Sequence, residues 1–215
     1  MDHWYHIASF IRNDKDKCKL MLTCKQISKY EFYFYDMILI DKIGKSIWFN
    51  KFTNILIYCN VQKLPLSINK LTFDEHFNSQ ITMKIPPTIT HLSFGTYFQK
   101  SVDHCIPTSV IELTFGDYFG RSLENIPSSV ITLNFHIYSV FGKFDKCNIP
   151  DSIRTINFIY WDIYKCHNRM AAFVHNKKNI SINHRMMQYQ DIHHYPSKRE
   201  YIGILQDYAK RYGSI

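Results

Sequence analysis

Histidine and cysteine are the residues of this chain best able to do chemistry, and their spacing decides what chemistry is open to them. There are eleven histidines and six cysteines. His193 and His194 are adjacent, and adjacent side chains on a helix or strand diverge, so they lack the i, i+4 geometry of a two-histidine zinc site. Cys18, Cys24, Cys59, Cys105, Cys147 and Cys166 include no Cys-x-x-Cys pair. Neither a zinc ribbon nor a disulfide framework is expected from them, and a reducing compartment fits best. His104-Cys105 lies beside a corner of the repeat described next, where the cysteine reads as a small apolar filler. No glycine-rich phosphate loop, paired acidic signature or nucleophile elbow occurs. The expectation is a non-enzyme with no catalytic residues, no metal ligands and no cofactor.

The elements that would have to position any functional side chain are set by an internal repeat. Pro-x-[Ser/Thr]-[Ile/Val] occurs at Pro65, Pro86, Pro107, Pro127 and Pro150, with spacings of 21, 21, 20 and 23 residues. Six residues after each proline stands Leu71, Leu92, Leu113, Leu133 or Ile156, and two further on Phe73, Phe94, Phe115, Phe135 or Phe158. Just before each proline is Leu64, Ile85, Ile106, Ile126 or Ile149. Residues two apart share a face of a strand, so each unit predicts one short strand with its Leu-x-Phe pair inward. The residue before a proline is pushed to extended backbone, which makes the Ile-Pro step a corner, and the Ser or Thr hydroxyl nearby is expected to satisfy a turn amide. A second phenylalanine, Phe77, Phe98 or Phe119, and then Ile81, Val102 or Leu123 should close the other side of the coil. A lone unit cannot bury its apolar face, but a stack can.

The segments PPTITHLSFGTYFQKSVDHCIP and PTSVIELTFGDYFGRSLENIP resemble FNIP repeats, a leucine-rich-repeat-like family of amoebae and the large DNA viruses that infect them. The fold expected is thus a leucine-rich-repeat-like solenoid: short parallel β-strands stacked into one sheet, with α-helical caps at both ends. The expected organisation is a helical segment at 1–40, a degenerate first coil at 41–64, five units over 65–158 with the last partial, and a cap with a terminal helix over 159–215. In the fourth unit Ser139 and Val140 replace the second phenylalanine and two extra residues follow.

Alternation turns the residues flanking Leu-x-Phe outward. Lys70, His91, Glu112, Thr132 and Thr155 form one row and Thr72, Ser93, Thr114, Asn134 and Asn157 the next, both expected to face solvent. The first row changes charge from unit to unit, which repeat symmetry alone would not produce, so it is the better candidate for partner binding. A further row, His76, Tyr97, Tyr118, Tyr138 and Trp161, stands at the strand exit. It reads either as aromatic hot spots or as rings stacking on one another.

The N-terminal stretch reads as two helices, with Trp4, Ile7, Ala8 and Ile11 on one apolar stripe and Leu20, Cys24 and Ile27 on another, separated by a polar turn over Arg12 to Asp16. Its order also resembles the F-box: Ile7-Ala8-Ser9-Phe10-Ile11, then Asp16, then Leu20 to Lys25. That resemblance implies docking through Ile7, Phe10, Ile11, Leu20 and Cys24 onto the linker subunit of a cullin-RING ubiquitin ligase. It implies a substrate-recruiting adaptor serving a host–virus interaction; the opposing reading is a plain scaffold with a structural helical cap. At the other end, Tyr201, Ile204, Leu205, Tyr208 and Tyr212 predict a terminal helix.

The net charge of +8 is carried by the two ends. Residues 1–64 hold ten Lys/Arg against six Asp/Glu, 65–159 seven against eight, and 160–215 nine against four. A nucleic-acid groove along the repeats would need a basic stripe in the middle, so the expected partner is a protein of unspecified identity rather than nucleic acid. No apolar run is long enough for a membrane helix and no signal peptide is visible. A monomeric cytoplasmic protein is expected, in the host cytoplasm if viral.

Overall fold

A computed structural model describes residues 37–44, 49–137, 148–160 and 180–186, together with Ile11, Asp14, Asp16 and Tyr35. Its framework is one eight-stranded sheet in which every neighbouring pair is parallel and the strands follow sequence order. The strands are β1 (Ile38–Leu39), β2 (Asn54–Ile57), β3 (Lys70–Phe73), β4 (His91–Ser93), β5 (Glu112–Phe115), β6 (Thr132–Ile137), β7 (Thr155–Tyr160) and β8 (Ser181–Met186).

The inward columns form as the repeat dictates. Leu71 pairs with Leu92, Leu92 with Leu113, Leu113 with Leu133 and Leu133 with Ile156. In the first coil, Ile55 and Ile57 take the places of leucine and phenylalanine against Leu71 and Phe73. Phe73, Phe94, Phe115, Phe135 and Phe158 are buried and stack at 5.1, 5.3, 6.1 and 6.0 Å between successive ring centres. The second phenylalanine column, Phe77, Phe98 and Phe119, is equally buried, with ring centres 6.0 and 6.1 Å apart. Within each coil the two columns touch at 4.5, 4.4 and 3.9 Å. Each such side chain contributes about 1.5 to 3 kcal/mol by leaving water, so the phenylalanine columns are the main cohesive element of the stack.

Three turns close a regular coil. At the first, the amide four positions into each Pro-x-Ser/Thr-Ile/Val donates to the proline carbonyl, as in Val110 to Pro107 at 3.1 Å. The second follows the strand, with Phe98 donating to Gly95 O and Phe119 to Gly116 O at 3.3 Å. The third joins Cys105 to Val102 and Ile126 to Leu123. Coil is tied to coil where two consecutive amides share one carbonyl of the coil before: Ile111 and Glu112 both donate to Thr90 O, Ile131 and Thr132 both to Ile111 O. The corner hydroxyls do not accept from a turn amide as expected. Ser67 and Ser109 instead donate to Phe52 O at 3.0 Å and Ile89 O at 2.8 Å of the preceding coil, because the stack leaves those carbonyls with lone pairs to fill.

The turn after the strand phenylalanine closes on Asp74, Gly95 or Gly116 in the first three units and is replaced by longer strands in the next two. A Cβ on Gly116 would lie 2.5 Å from Thr96 Cα and 2.6 Å from Gly95 O, and one on Gly95 would lie 2.3 Å from Asp74 O. Only glycine allows the backbones to approach so closely at that turn. His136 and Ile159 occupy the corresponding positions of the next two coils, and there the turn gives way to two more paired residues, so β6 and β7 each span six residues.

Three strands stand outside the five-unit frame, of which β2 lies in the expected degenerate first coil. β1 lies within the segment expected to be helical up to residue 40, and β8 within the expected C-terminal cap. The terminal helix lies outside the described residues, as does most of the N-terminal stretch; Asp14 and Asp16, expected in a polar turn, have helical conformation, and Asp14 is buried. Among the described residues no helix is long and apolar enough to cross a membrane.

Candidate functional site on the outer face of the sheet

Because the pleat sends alternate side chains outward, the face of the sheet opposite the phenylalanines carries three rows in register. The first runs Asn54, Lys70, His91, Glu112, Thr132, Thr155 and Ser181, and the second Thr72, Ser93, Thr114, Asn134, Asn157 and Asn183. The third exists only where the strands are long, as His136, Ile159 and Arg185. A groove of about 550 Å³ lies on this face. Lys70, His91 and Glu112 of the predicted binding row line it, whereas Thr132 and Thr155 are half-buried and stand outside its lining. Asn54, Asn183 and the whole third row line it as well.

The second row differs from its expected exposure: Thr72, Thr114 and Asn134 are buried, and Ser93 and Asn157 half-buried. Neighbouring strands are only about 4.8 Å apart, so small polar side chains in one column cover each other. In the later coils they also bond to each other. Asn134 Nδ2 donates to Glu112 Oε1 at 2.6 Å and to Thr114 Oγ1 at 3.0 Å, Asn157 Nδ2 donates to Asn134 Oδ1 at 2.6 Å, and Asn183 Nδ2 to Asn157 Oδ1 at 2.8 Å. Every amide donates in the same direction, toward a carboxylate that can only accept. Chains of this kind strengthen each bond by polarising the next.

Glu112 also faces His91, with Nε2 and Oε2 3.8 Å apart, while His91 Nδ1 shares a 2.8 Å hydrogen bond with Thr90 Oγ1. The centre of the groove is thus already occupied by interactions of the chain with itself.

At the strand exit the aromatic row does stack on itself. His76 and Tyr97 have ring centres 5.4 Å apart, as do Tyr97 and Tyr118. His76 is exposed, Tyr97 retains 44% of its accessible surface and Tyr118 is half-buried, so the rings are packed and reachable at once. Tyr138 and Trp161 lie outside the described residues. So do Ile7, Phe10, Leu20 and Cys24 of the expected docking segment, while Ile11 is half-buried in no regular element.

Cys105 packs against the core, and its thiol lies 3.1 Å from Val102 O. Burial pushes that thiol up to about 11, which keeps it protonated and suits the filler reading. Among the described residues no three His, Cys, Asp or Glu side chains are placed to hold a metal ion.

The amide ladder and its last rung do not follow from the alternation of the repeat alone. The available signal was Ser181-Ile182-Asn183, which echoes Thr155-Ile156-Asn157 column for column but without a preceding Pro-x-Ser-Ile corner.

The model of the FNIP Repeat family fits residues 60–97 and 97–138. Each segment spans two coils, the first containing Pro65 and Pro86 and the second Pro107 and Pro127. No curated protein matches the chain in sequence.

Proposed function

We propose, from the match of the FNIP Repeat model to its central coils, that the chain is a non-enzymatic interaction module that holds a protein partner in the groove on the outer face of its sheet. The observation that carries this reading is the combination of a continuously paired sheet with an outer row whose residues change from Lys70 to His91 to Glu112. Solenoids present extended surfaces of this kind to partners, and a varied row on a regular scaffold is where selectivity can reside. The stacked His76, Tyr97 and Tyr118 rings offer a second contact patch beside it. The proposed setting is the cytoplasm.

A finer version makes the chain an F-box-type adaptor for a cullin-RING ubiquitin ligase, with residues Ile7, Phe10, Ile11, Leu20 and Cys24 docking on the linker subunit. What supports it is the order of those residues in the sequence.

Affinity capture with the full chain tests the groove reading. Ser93→Arg adds bulk in the groove from a half-buried outer position and should lose the partners that wild type and Leu66→Ala, changed at the exposed proline corner, both retain. Unchanged capture by Ser93→Arg, with its circular dichroism preserved, would refute the groove as the binding surface. Co-precipitation with the linker subunit, lost in Ile7→Asp and Leu20→Asp, is the corresponding result for the adaptor.

A further inference from the structure

The two halves of the groove differ in what they leave unsatisfied. From β5 onward the second outer row is bonded to itself and to Glu112 of the first, since Asn134, Asn157 and Asn183 pass their amide hydrogens down to Thr114 and Glu112. On β3 and β4 the same rows are not used in this way. Lys70 and Thr72 share the outer face of β3 two residues apart, His91 and Ser93 do so on β4, and the register sets Lys70 beside His91 and Thr72 beside Ser93. Neither the Lys70 ammonium nor the Thr72 and Ser93 hydroxyls have a hydrogen-bond or ion-pair partner among the described residues. All three line the groove, and Lys70 is exposed.

The nearest acid in that row, Glu112, is two strands away, roughly 10 Å at the spacing of parallel strands. It already accepts from Asn134 and faces His91. It therefore does not neutralise Lys70, and it has little to offer a cationic partner.

We propose that the β3–β4 end of the groove is an acid-binding subsite, in which Lys70, Thr72 and Ser93 receive an aspartate or glutamate side chain of an extended partner segment. The inference rests on the groove being the partner-binding surface. A lysine ammonium brings charge and three donors, and the two hydroxyls bring one donor each, matching the acceptor-only oxygens of a carboxylate. Thr72 is largely desolvated, so the bonds it makes there compete weakly with water and gain strength from the lower local dielectric. The half from β5 to β8, where the asparagine row is bonded to itself, forms a floor along which the rest of the segment can lie, with Arg185 at its far end.

The test uses the full chain, isotopically labelled for amide NMR, and two eight-residue peptides, one alternating Asp with Ser and one alternating Asn with Ser. The Asp peptide should shift the amide signals of Lys70, Thr72 and Ser93. Its binding should weaken about tenfold, as for loss of one charge-assisted hydrogen bond, both on changing Asp to Asn and on Lys70→Gln, and it should fall as salt is raised. Equal binding of the two peptides, indifference to Lys70→Gln, or no binding of the Asp peptide at millimolar concentration overturns the subsite. If Ser93→Arg still abolishes partner capture in that event, the groove reading stands and only its acid preference is wrong. If Ser93→Arg has no effect either, the groove reading falls with it.

Discussion

Truncating Phe115 removes the ring at the middle of the stack. That ring is fully buried, with Phe94 at 5.3 Å on one side, Phe135 at 6.1 Å on the other and Phe119 at 3.9 Å within its own coil. Large-to-small changes of this kind cost about 3 to 5 kcal/mol, depending on how far the surroundings collapse. Collapse is restricted here, because Glu112, Leu113 and Thr114 are held in register by β4 and all four β5 residues by β6. The void should persist, and a loss of about 4 kcal/mol is expected, a large part of the roughly 5 to 15 kcal/mol that stabilises a folded domain. Urea unfolding followed by circular dichroism measures it, with Tyr97→Ala as the comparison. Tyr97 is also stacked but half exposed, so its loss should cost only about 0.5 to 1.5 kcal/mol. A loss below about 1 kcal/mol for Phe115→Ala, against the 3 to 5 expected of a buried ring, would refute the inward assignment of the phenylalanine column, as would equal losses at the two positions.

Gly116→Ala places a methyl against Thr96 Cα and Gly95 O and should destabilise by about 1 to 3 kcal/mol, seen as a lowered thermal midpoint; an unchanged midpoint would show that the coils do not approach there. Asn134→Leu removes the donor to Glu112 and Thr114 and the acceptor of Asn157. It should cost about 1 to 3 kcal/mol, and in a double-mutant cycle with Asn157→Leu the two losses should be non-additive; simple additivity would dissolve the ladder. For the thiols, Cys59 is exposed while Cys105 is half-buried with its thiol held up to about 11. At pH 8 peptide mapping after alkylation should find Cys59 modified well before Cys105, and the rate at Cys105 should go on rising with pH toward 11 as thiolate forms; equal rates at pH 8 would contradict its burial.

The inward architecture was legible because five units agree at the same columns, and a column that repeats Leu-x-Phe admits one alternation. The outer face was legible in direction but not in environment. Sequence alternation sends Thr114 and Asn134 outward, yet it does not say that neighbours one strand spacing away cover them or that three asparagines will share hydrogen bonds. Strand length was not readable from the residue after the phenylalanine: Asp74, Gly95 and Gly116 turn the chain, while His136 and Ile159 let it run on. The end strands escaped because β1 has two residues and β8 lacks the proline corner by which units are recognised. Lys70, His91 and Glu112 were found from their changing charge alone, and Thr132 and Thr155 were grouped with them by column although the groove does not include them.

The most direct test of the central claim is site-specific photo-cross-linking of a partner retained by the full chain. A benzophenone side chain replaces either Ser93, on the groove floor, or Leu66, which keeps 72% of its surface at the proline corner. If the outer face of the sheet is the binding surface, the partner cross-links from position 93 and not from position 66. Cross-linking from position 66 with none from position 93 would place the partner on the corner of the coil and contradict the account.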